Sequence, residues 1–383
     1  MNNTAETKIS FVNLLTELFN HLSPREKDVL SRRHRLTKGL VRRETLEKIG
    51  QEYQITRERV RQIERDGIKK LKEKVARSDK SGHLGRVEQA IGHFLKKYGG
   101  AMEEGHLLDQ LINFFGMTKD EVLEEDMVYH KHSLSFIISQ LLADKFEKME
   151  SGDHYNTAWK LKGAPWELVE DVIEQLVKIL EKESKPLTKE EFLQRVRKED
   201  FYQEIKSKLA VHLPDFEQEL LDLDEAILSY LKTSKKIKEN LFGHIGLSHW
   251  QTISPKRMND KIYLVMKQSG KPLHFTEIAS LINQAGFDHK KALPATVHNE
   301  LILDKRYVLI GRGIYALKEW GYEPGTVSDV IITIFKQVGQ PLSKEEIVNK
   351  VLEQRKVKRA TINLALMDKS KFQKLADKKY TLV

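Results

Sequence analysis

The chain has 383 residues, 40% hydrophobic and 32% charged, which suits two to four packed domains and excludes a wholly disordered chain. It has no cysteine, which rules out disulfides, thiolate nucleophiles and Cys-based zinc sites and fits a reducing cytoplasm. The net charge is +9; residues 1–84 hold 20 Lys and Arg against 12 Asp and Glu, and the remainder 45 against 44, so a compact basic segment that suits a polyanion precedes a near-neutral body.

No apolar run approaches the roughly 18 residues of a membrane span, and the opening MNNTAETK has no apolar signal core, so a cytoplasmic protein without membrane contact is expected. Phe11, Leu14, Leu15, Leu18, Phe19 and Leu22 recur at helical spacing. Ser23-Pro24 reads as the start of a second helix, Ser as N-cap and Pro at the first helical position. The basic stretch Ser31 to Arg43 reads as a helix end and loop, two helices follow around a short turn at Gln54, and the small polar residues 76–85 read as a linker.

A weak repeat follows. Its units run over about 85–163, 165–252, 255–322 and 325–383. Each opens with an amphipathic helix, then a break: SKPLTKEE from Ser184, GKPLHFTE from Gly270, GQPLSKEE from Gly339, and a degenerate GGAMEE from Gly99. Thr188 with Glu191 and Ser343 with Glu346 have capping-box spacing. Each unit then continues into further helix and a short β-rich tail, clearest in Tyr307 to Leu317, where two apolar strands flank a Gly-rich turn. Three helices and a hairpin is the winged-helix plan, and the period suits tandem small domains rather than a solenoid. The fold class expected is mainly α: a helix-turn-helix followed by tandem winged-helix-like units with small β-hairpins.

The string TLEKIGQEYQITRERVRQIERDGIKKL, Thr45 to Leu71, is a helix-turn-helix on physical grounds. Its first helix buries Leu46 and Ile49, with Gly50 allowing close packing; Tyr53 and Ile55 anchor the turn. Thr56 caps a second helix that buries Val60, Ile63, Gly67 and Leu71 at spacings of three and four. The opposite face presents Arg57, Glu58, Arg61, Gln62, Arg65 and Lys69. Arg binds guanine bidentately, Gln suits adenine and Glu accepts from cytosine N4, so this face has the chemistry of a major-groove reader.

This string resembles region 4.2 of primary sigma factors in its TRERVRQIE core from Thr56 and in TLEKIG at the matching upstream distance; Leu22 to Leu36 is similar to region 4.1. The resemblance covers about residues 10–76. It implies double-stranded DNA as partner, base reading of a minus-35-type element by Arg57, Glu58, Arg61 and Gln62, and phosphate or secondary contacts from Arg33, Thr45, Thr56, Arg59, Arg65 and Lys69. It also implies docking on RNA polymerase at the flap, and a place on the nucleoid. The sequence departs from the family at His34-Arg35, where Phe-Gly is usual, and in a slightly longer loop. Nothing before residue 10 or after residue 85 reads as the parts of a sigma factor that melt DNA, so an incomplete sigma activity is expected.

The third unit, Gly270 to Phe287 with Ala295 to Gly321, looks like the HARE-type winged helix, a family that includes the N-terminal domain of the RNA polymerase delta subunit. In the fourth unit Arg355, Lys356, Lys358 and Arg359 read as a possible second DNA anchor, against the alternative of merely solvated side chains. In the second unit Asp222, Asp224 and Glu225 at the start of the third helix would repel phosphates and suit a protein-facing role. His130 with His132, and His244 with His249, lack the cysteine or clustered carboxylates that would complete a metal site and read as solvated or packing histidines. Gly311 and Gly313 read as a wing turn, since strand rather than helix follows. Pro214-Asp215 lacks a strand-borne Glu-x-Lys partner for a nuclease. The expectation is a non-enzymatic regulator of transcription initiation, with no cofactor, metal or small-molecule substrate. The rival is an RNA polymerase-binding protein whose winged helices make protein contacts.

Overall fold

A computed structural model describes residues 9–40, 42–77, 82–117, 123–212, 221–322 and 324–383. Pro214 and Asp215 lie outside the described residues, as do residues 78–81 of the expected linker. The chain divides into two compact units, residues 1–238 with 245–248, and 239–244 with 249–383. The fold is mainly α: a sigma region 4-like helix-turn-helix module followed by tandem winged-helix-like units.

The N-terminal module has four helices: α1 (Phe11–Phe19), α2 (Pro24–His34), α3 (Leu46–Tyr53) and α4 (Arg57–Ala76). Local chemistry sets their ends. The Ser23 hydroxyl and the Glu26 carboxylate form a capping box at α2, with Pro24 at its first position. Arg35 ends α2 in the left-handed region at φ 60°, a conformation glycine takes without strain. Gly67 marks where α2 and α4 cross, since a Cβ there would lie 3.1 Å from the Leu30 side chain.

Four winged-helix-like units follow. The first contains α5 (His83–Lys97), β1 (Ala101–Glu103), α6 (Glu104–Phe114), α7 (Glu124–Phe136), β2 (Phe146–Met149) and β3 (Ala158–Leu161). A π-helical turn, Ile137–Leu141, extends α7. The second contains α8 (Trp166–Glu183), β4 (Leu187–Thr188), α9 (Lys189–Val196), α10 (Phe201–His212), α11 (Leu223–Thr233), β5 (Ile237–Glu239) and β6 (His244–Leu247). The third contains α12 (Met258–Ser269), β7 (Leu273–His274), α13 (Phe275–Ala285), α14 (Pro294–Leu303), β8 (Tyr307–Gly311) and β9 (Ile314–Leu317). The fourth contains α15 (Val327–Val338), α16 (Lys344–Gln354), α17 (Arg359–Ala365), β10 (Phe372–Lys374) and β11 (Tyr380–Leu382).

The sheets share one plan. The last strand of each hairpin lies centrally, in the orders β1-β3-β2, β4-β6-β5 and β7-β9-β8. In the fourth unit a single antiparallel bridge, Leu342 to Tyr380, stands in for the first strand. The recurring break explains this. Ser184, Gly270 and Gly339 cap their helices in the left-handed region. Pro and then a buried Leu follow (Leu187, Leu273 and Leu342), and the next residue caps the second helix. The degenerate first copy keeps these roles with other residues: Met102 takes the buried position and the Glu103 carboxylate accepts from the Gly105 and His106 amides at 2.9 and 2.7 Å.

Packing within the first compact unit joins three modules. Phe11 of α1 meets Phe115 edge-on at 5.6 Å, while Phe19 and His34 meet Phe136 at 6.1 and 4.8 Å. Lys38 pairs with Asp126 at 2.6 Å. The helix-turn-helix module is therefore docked on α7 rather than strung on a free linker. The acidic start of α11 also finds its partners inside the unit. Asp224 pairs with Arg197 and accepts from Tyr202, and Glu225 pairs with Lys189. The other face of α11 packs against β1, where the buried Tyr230 hydroxyl donates to the Gly99 carbonyl at 2.5 Å.

In the second compact unit, one core centres on Ile262, Met266, Ile278, Val297 and Leu317, another on Ile331, Ile347, Val351 and Ile362. Arg355 links the two. It is 5% exposed, and its guanidinium donates to the Leu309 carbonyl of β8 and, at 2.8 Å, to the Gly325 carbonyl. The expectation that Arg355 belongs to an exposed DNA anchor is corrected here: a guanidinium spent on two backbone carbonyls is not offered to a phosphate. No helix among the described residues is long and apolar enough to cross a membrane.

Candidate nucleic-acid interface

The helix-turn-helix is assembled by short-range rules. Thr45 caps α3, its hydroxyl accepting from the Lys48 amide at 3.2 Å, and Thr56 does the same for α4 with the Arg59 amide at 3.2 Å. Gln54 turns the chain between them at φ 56°. Gly50 is required by that turn, because a Cβ would lie 2.7 Å from the Ile55 carbonyl. Val29, Leu46, Ile49, Val60 and Ile63 form the core, with Tyr53 and Ile55 against it. The Tyr53 hydroxyl donates to Asp28 at 2.8 Å.

With that face of α4 buried, the opposite one is open. Arg57, Glu58, Arg59, Arg61, Gln62, Arg65 and Lys69 are all exposed. The Arg61 guanidinium grips Glu58 through two hydrogen bonds of 2.8 and 2.6 Å, Arg59 donates to the Gln62 oxygen at 3.1 Å, and Arg57 pairs with Glu47 of α3 at 2.9 Å. The hydrogen bond from Arg61 holds the Glu58 carboxyl below the usual range, so it stays an acceptor. Solvent-exposed pairs of this kind contribute little to stability. Releasing these side chains to another partner therefore costs little.

Arg33 sits differently. It is 14% exposed, donates to the Glu44 carbonyl at 2.7 Å and lies 3.3 Å from the Glu64 carboxylate of α4. His34 approaches the same carboxylate at 3.1 Å. Burial alone would raise the Glu64 pKa; the hydrogen bond to His34 and the charge of Arg33 outweigh it and hold the carboxyl low. Arg33 thus clamps the loop before α3 onto α4.

In the fourth winged unit Lys356 and Lys358 are exposed, whereas Arg359 pairs with Glu345 at 3.1 Å. Arg355 turns inward and leaves the exposed set, so the four basic residues do not act as one cluster. Sequence reasoning missed a cleft of about 490 Å³ between the helix-turn-helix module and the first winged unit, lined by Arg35 and Arg43 on one side and by Ser139 and Gln140 on the other. The signal available was the unusual His34-Arg35 pair.

Comparison with known proteins bears on this module. Residues 18–73 match the family described as Sigma-70, region 4. The RNA polymerase sigma factor SigA of Nostoc sp. (strain PCC 7120) is 48% identical over 73 residues, 18% of this chain and 18% of that protein. SigA1 of Synechococcus elongatus is 50% identical over 64 residues, 16% of each chain, and SigA of Clostridium acetobutylicum 47% over 58 residues, 15% of each. The chain spans less than a fifth of the length of these relatives.

Proposed function

We propose that this protein binds duplex DNA at a minus-35-type promoter element through α4 and acts in transcription initiation with only part of a sigma factor's activity. The observation that carries this is the open face of α4, where Arg57, Glu58, Arg61 and Gln62 stand exposed on a module similar to Sigma-70 region 4. Thr45, Thr56, Arg59, Arg65 and Lys69 flank that face as contacts to phosphates, with Arg33 positioning the loop beside them. The working modules are residues 1–80, 85–163, 165–252, 255–322 and 325–383, the fourth of these a HARE-type winged helix. RNA polymerase, at its flap, is the protein partner, and the site of action is the nucleoid. Fluorescence anisotropy of the full chain on a duplex carrying a TTGACA-like element, against a scrambled duplex at moderate salt, tests the reading. Arg61→Ala and Gln62→Ala each lose about 1–3 kcal/mol and relax preference at their own base pair. Equal affinity of the wild type for both duplexes overturns it.

A second reading, protein contact by the winged units, is favoured by α14. Leu293 at its cap and Ile302 and Leu303 at its far end are 60, 61 and 80% exposed, and the helix has no Lys or Arg. A helix laid against DNA needs cations for phosphates, and this one offers apolar surface instead. Leu303→Glu is expected to weaken capture of core RNA polymerase by the full chain and leave duplex affinity unchanged. Unaltered capture removes α14 from the polymerase contact.

A further inference from the structure

We infer that the cleft between the helix-turn-helix module and the first winged unit binds a phosphoryl group, with Arg35 and Arg43 as its anion-holding residues. The cleft measures about 490 Å³ and is framed by the end of α2 and the following loop on one side, and by α7 with its π-helical turn on the other. The charge inventory singles out two residues. Every carboxylate at the cleft has its own cation: Glu64 faces Arg33 and His34, Glu147 is held by Lys160 at 2.6 Å, and Glu150 lies 3.7 Å from Lys148. Arg35 and Arg43, by contrast, make no ion pair or side-chain hydrogen bond among the described residues, although each lies close enough to the other for their charges to repel. Two guanidiniums at one concave site, whose nearest carboxylate, Glu64, is already engaged by Arg33 and His34, match the fork geometry and charge of a phosphoryl group.

The opposite wall supplies neutral partners. Ser139 and Gln140 belong to the π-helical turn and line the cleft, and the Gln140 amide donates to the Ser139 hydroxyl at 3.3 Å. Such turns are rare and frequently placed at functional sites. Desolvation and the charges of Arg33 and Arg35 disfavour the charge on Arg43 by more than Glu64 favours it, and a bound anion would relieve this. The residues concerned lie where the sequence departs from the sigma pattern, at Arg35 and in the longer loop, and the far wall comes from a module outside the matched residues 18–73. The site is thus a property of this chain's two modules together.

A phosphoryl group reaches the cleft either on the DNA backbone or on a small free ligand. The DNA source rests on the reading proposed above, the free source does not. The test uses the full chain and an Arg35→Gly/Arg43→Ala variant; glycine at 35 keeps the left-handed turn. A Lys182→Ala/Lys185→Ala variant controls for bulk charge, and circular dichroism checks folding. Calorimetric titration with inorganic pyrophosphate and anisotropy on the promoter duplex and the scrambled duplex across a salt series are the readouts. If the ligand is free, pyrophosphate binds the wild type and the control and loses about tenfold or more in the cleft variant. If the source is DNA, pyrophosphate does not bind, but the cleft variant loses affinity for both duplexes equally and its salt slope falls by about one to two ions. Arg35→Lys/Arg43→Lys restores part of either signal. A folded cleft variant that matches the control in both assays overturns the inference. Failure of the minus-35 reading would show separately, as equal wild-type affinity for the two duplexes.

Discussion

Glu64 joins three layers of the helix-turn-helix module: it projects from α4, meets Arg33 at 3.3 Å and His34 at 3.1 Å, and through Arg33 fixes the loop that leads to α3. Its carboxyl is held below the ordinary Glu value of about 4.3. A carboxyl whose folded pKa is depressed adds stability that is complete above its unfolded pKa and disappears as pH falls through its folded one. Glu26, held low by Lys70 and Ser23 against its own burial, acts in the same direction. Glu64→Gln should therefore cost about 1.5–3 kcal/mol near pH 7, and the gap to wild type should close as pH drops below about 4. Urea unfolding of both proteins along that pH series checks this; a gap that stays constant would mean that packing, not charge, is what Glu64 contributes.

At the scale of elements, α11 and α17 show how far local sequence reaches. The acidic start of α11 reads as incompatible with DNA, and its carboxylates are satisfied by Arg197, Tyr202 and Lys189. The partner of its buried face is β1, identified by Tyr230 reaching the Gly99 carbonyl. A Cβ on Gly99 would stand 2.3 Å from that hydroxyl, so the double glycine of the degenerate break serves this packing as well as the turn. The basic approach to α17 misleads in the opposite direction. Arg355 looks like its neighbours Lys356 and Lys358 in the sequence, yet is buried against two carbonyls 46 and 30 residues away. The extra helix α10 and the two-residue strands β4 and β7 are likewise absent from the sequence reading: α10 lacks a clear apolar periodicity, and a strand of two residues has no period to detect.

For the whole molecule, each of the two compact units has its own core or cores, and single substitutions should act on one unit at a time. Scanning calorimetry of the full chain is expected to show two unfolding transitions. Phe136→Ala removes a buried ring that both Phe19 and His34 touch. It should cost about 3–5 kcal/mol and lower one transition by on the order of 10 °C. Arg355→Ala should lower the other by about 5–10 °C, from the loss of charged hydrogen bonds to carbonyls. If both variants shift the same transition, the division into two cooperative bodies is wrong.

The amino-acid order alone specified the helix-turn-helix, its turn at Gln54, its caps at Thr45 and Thr56 and the exposed face of α4, because those features arise from contacts within a few residues and from a motif whose spacing is specific. It also determined the repeated break, whose capping boxes at Thr188 and Ser343 are local hydrogen bonds. Long-range packing alone reveals that the helix-turn-helix module docks on α7, that α11 faces β1, that Arg355 is a strap rather than an anchor, and that Arg35 and Arg43 share a cleft with a π-helical turn. Each of these joins residues dozens of positions apart. An arginine's composition and spacing are the same whether its guanidinium ends on a phosphate, a carboxylate or a buried carbonyl, and only the surrounding packing selects among them.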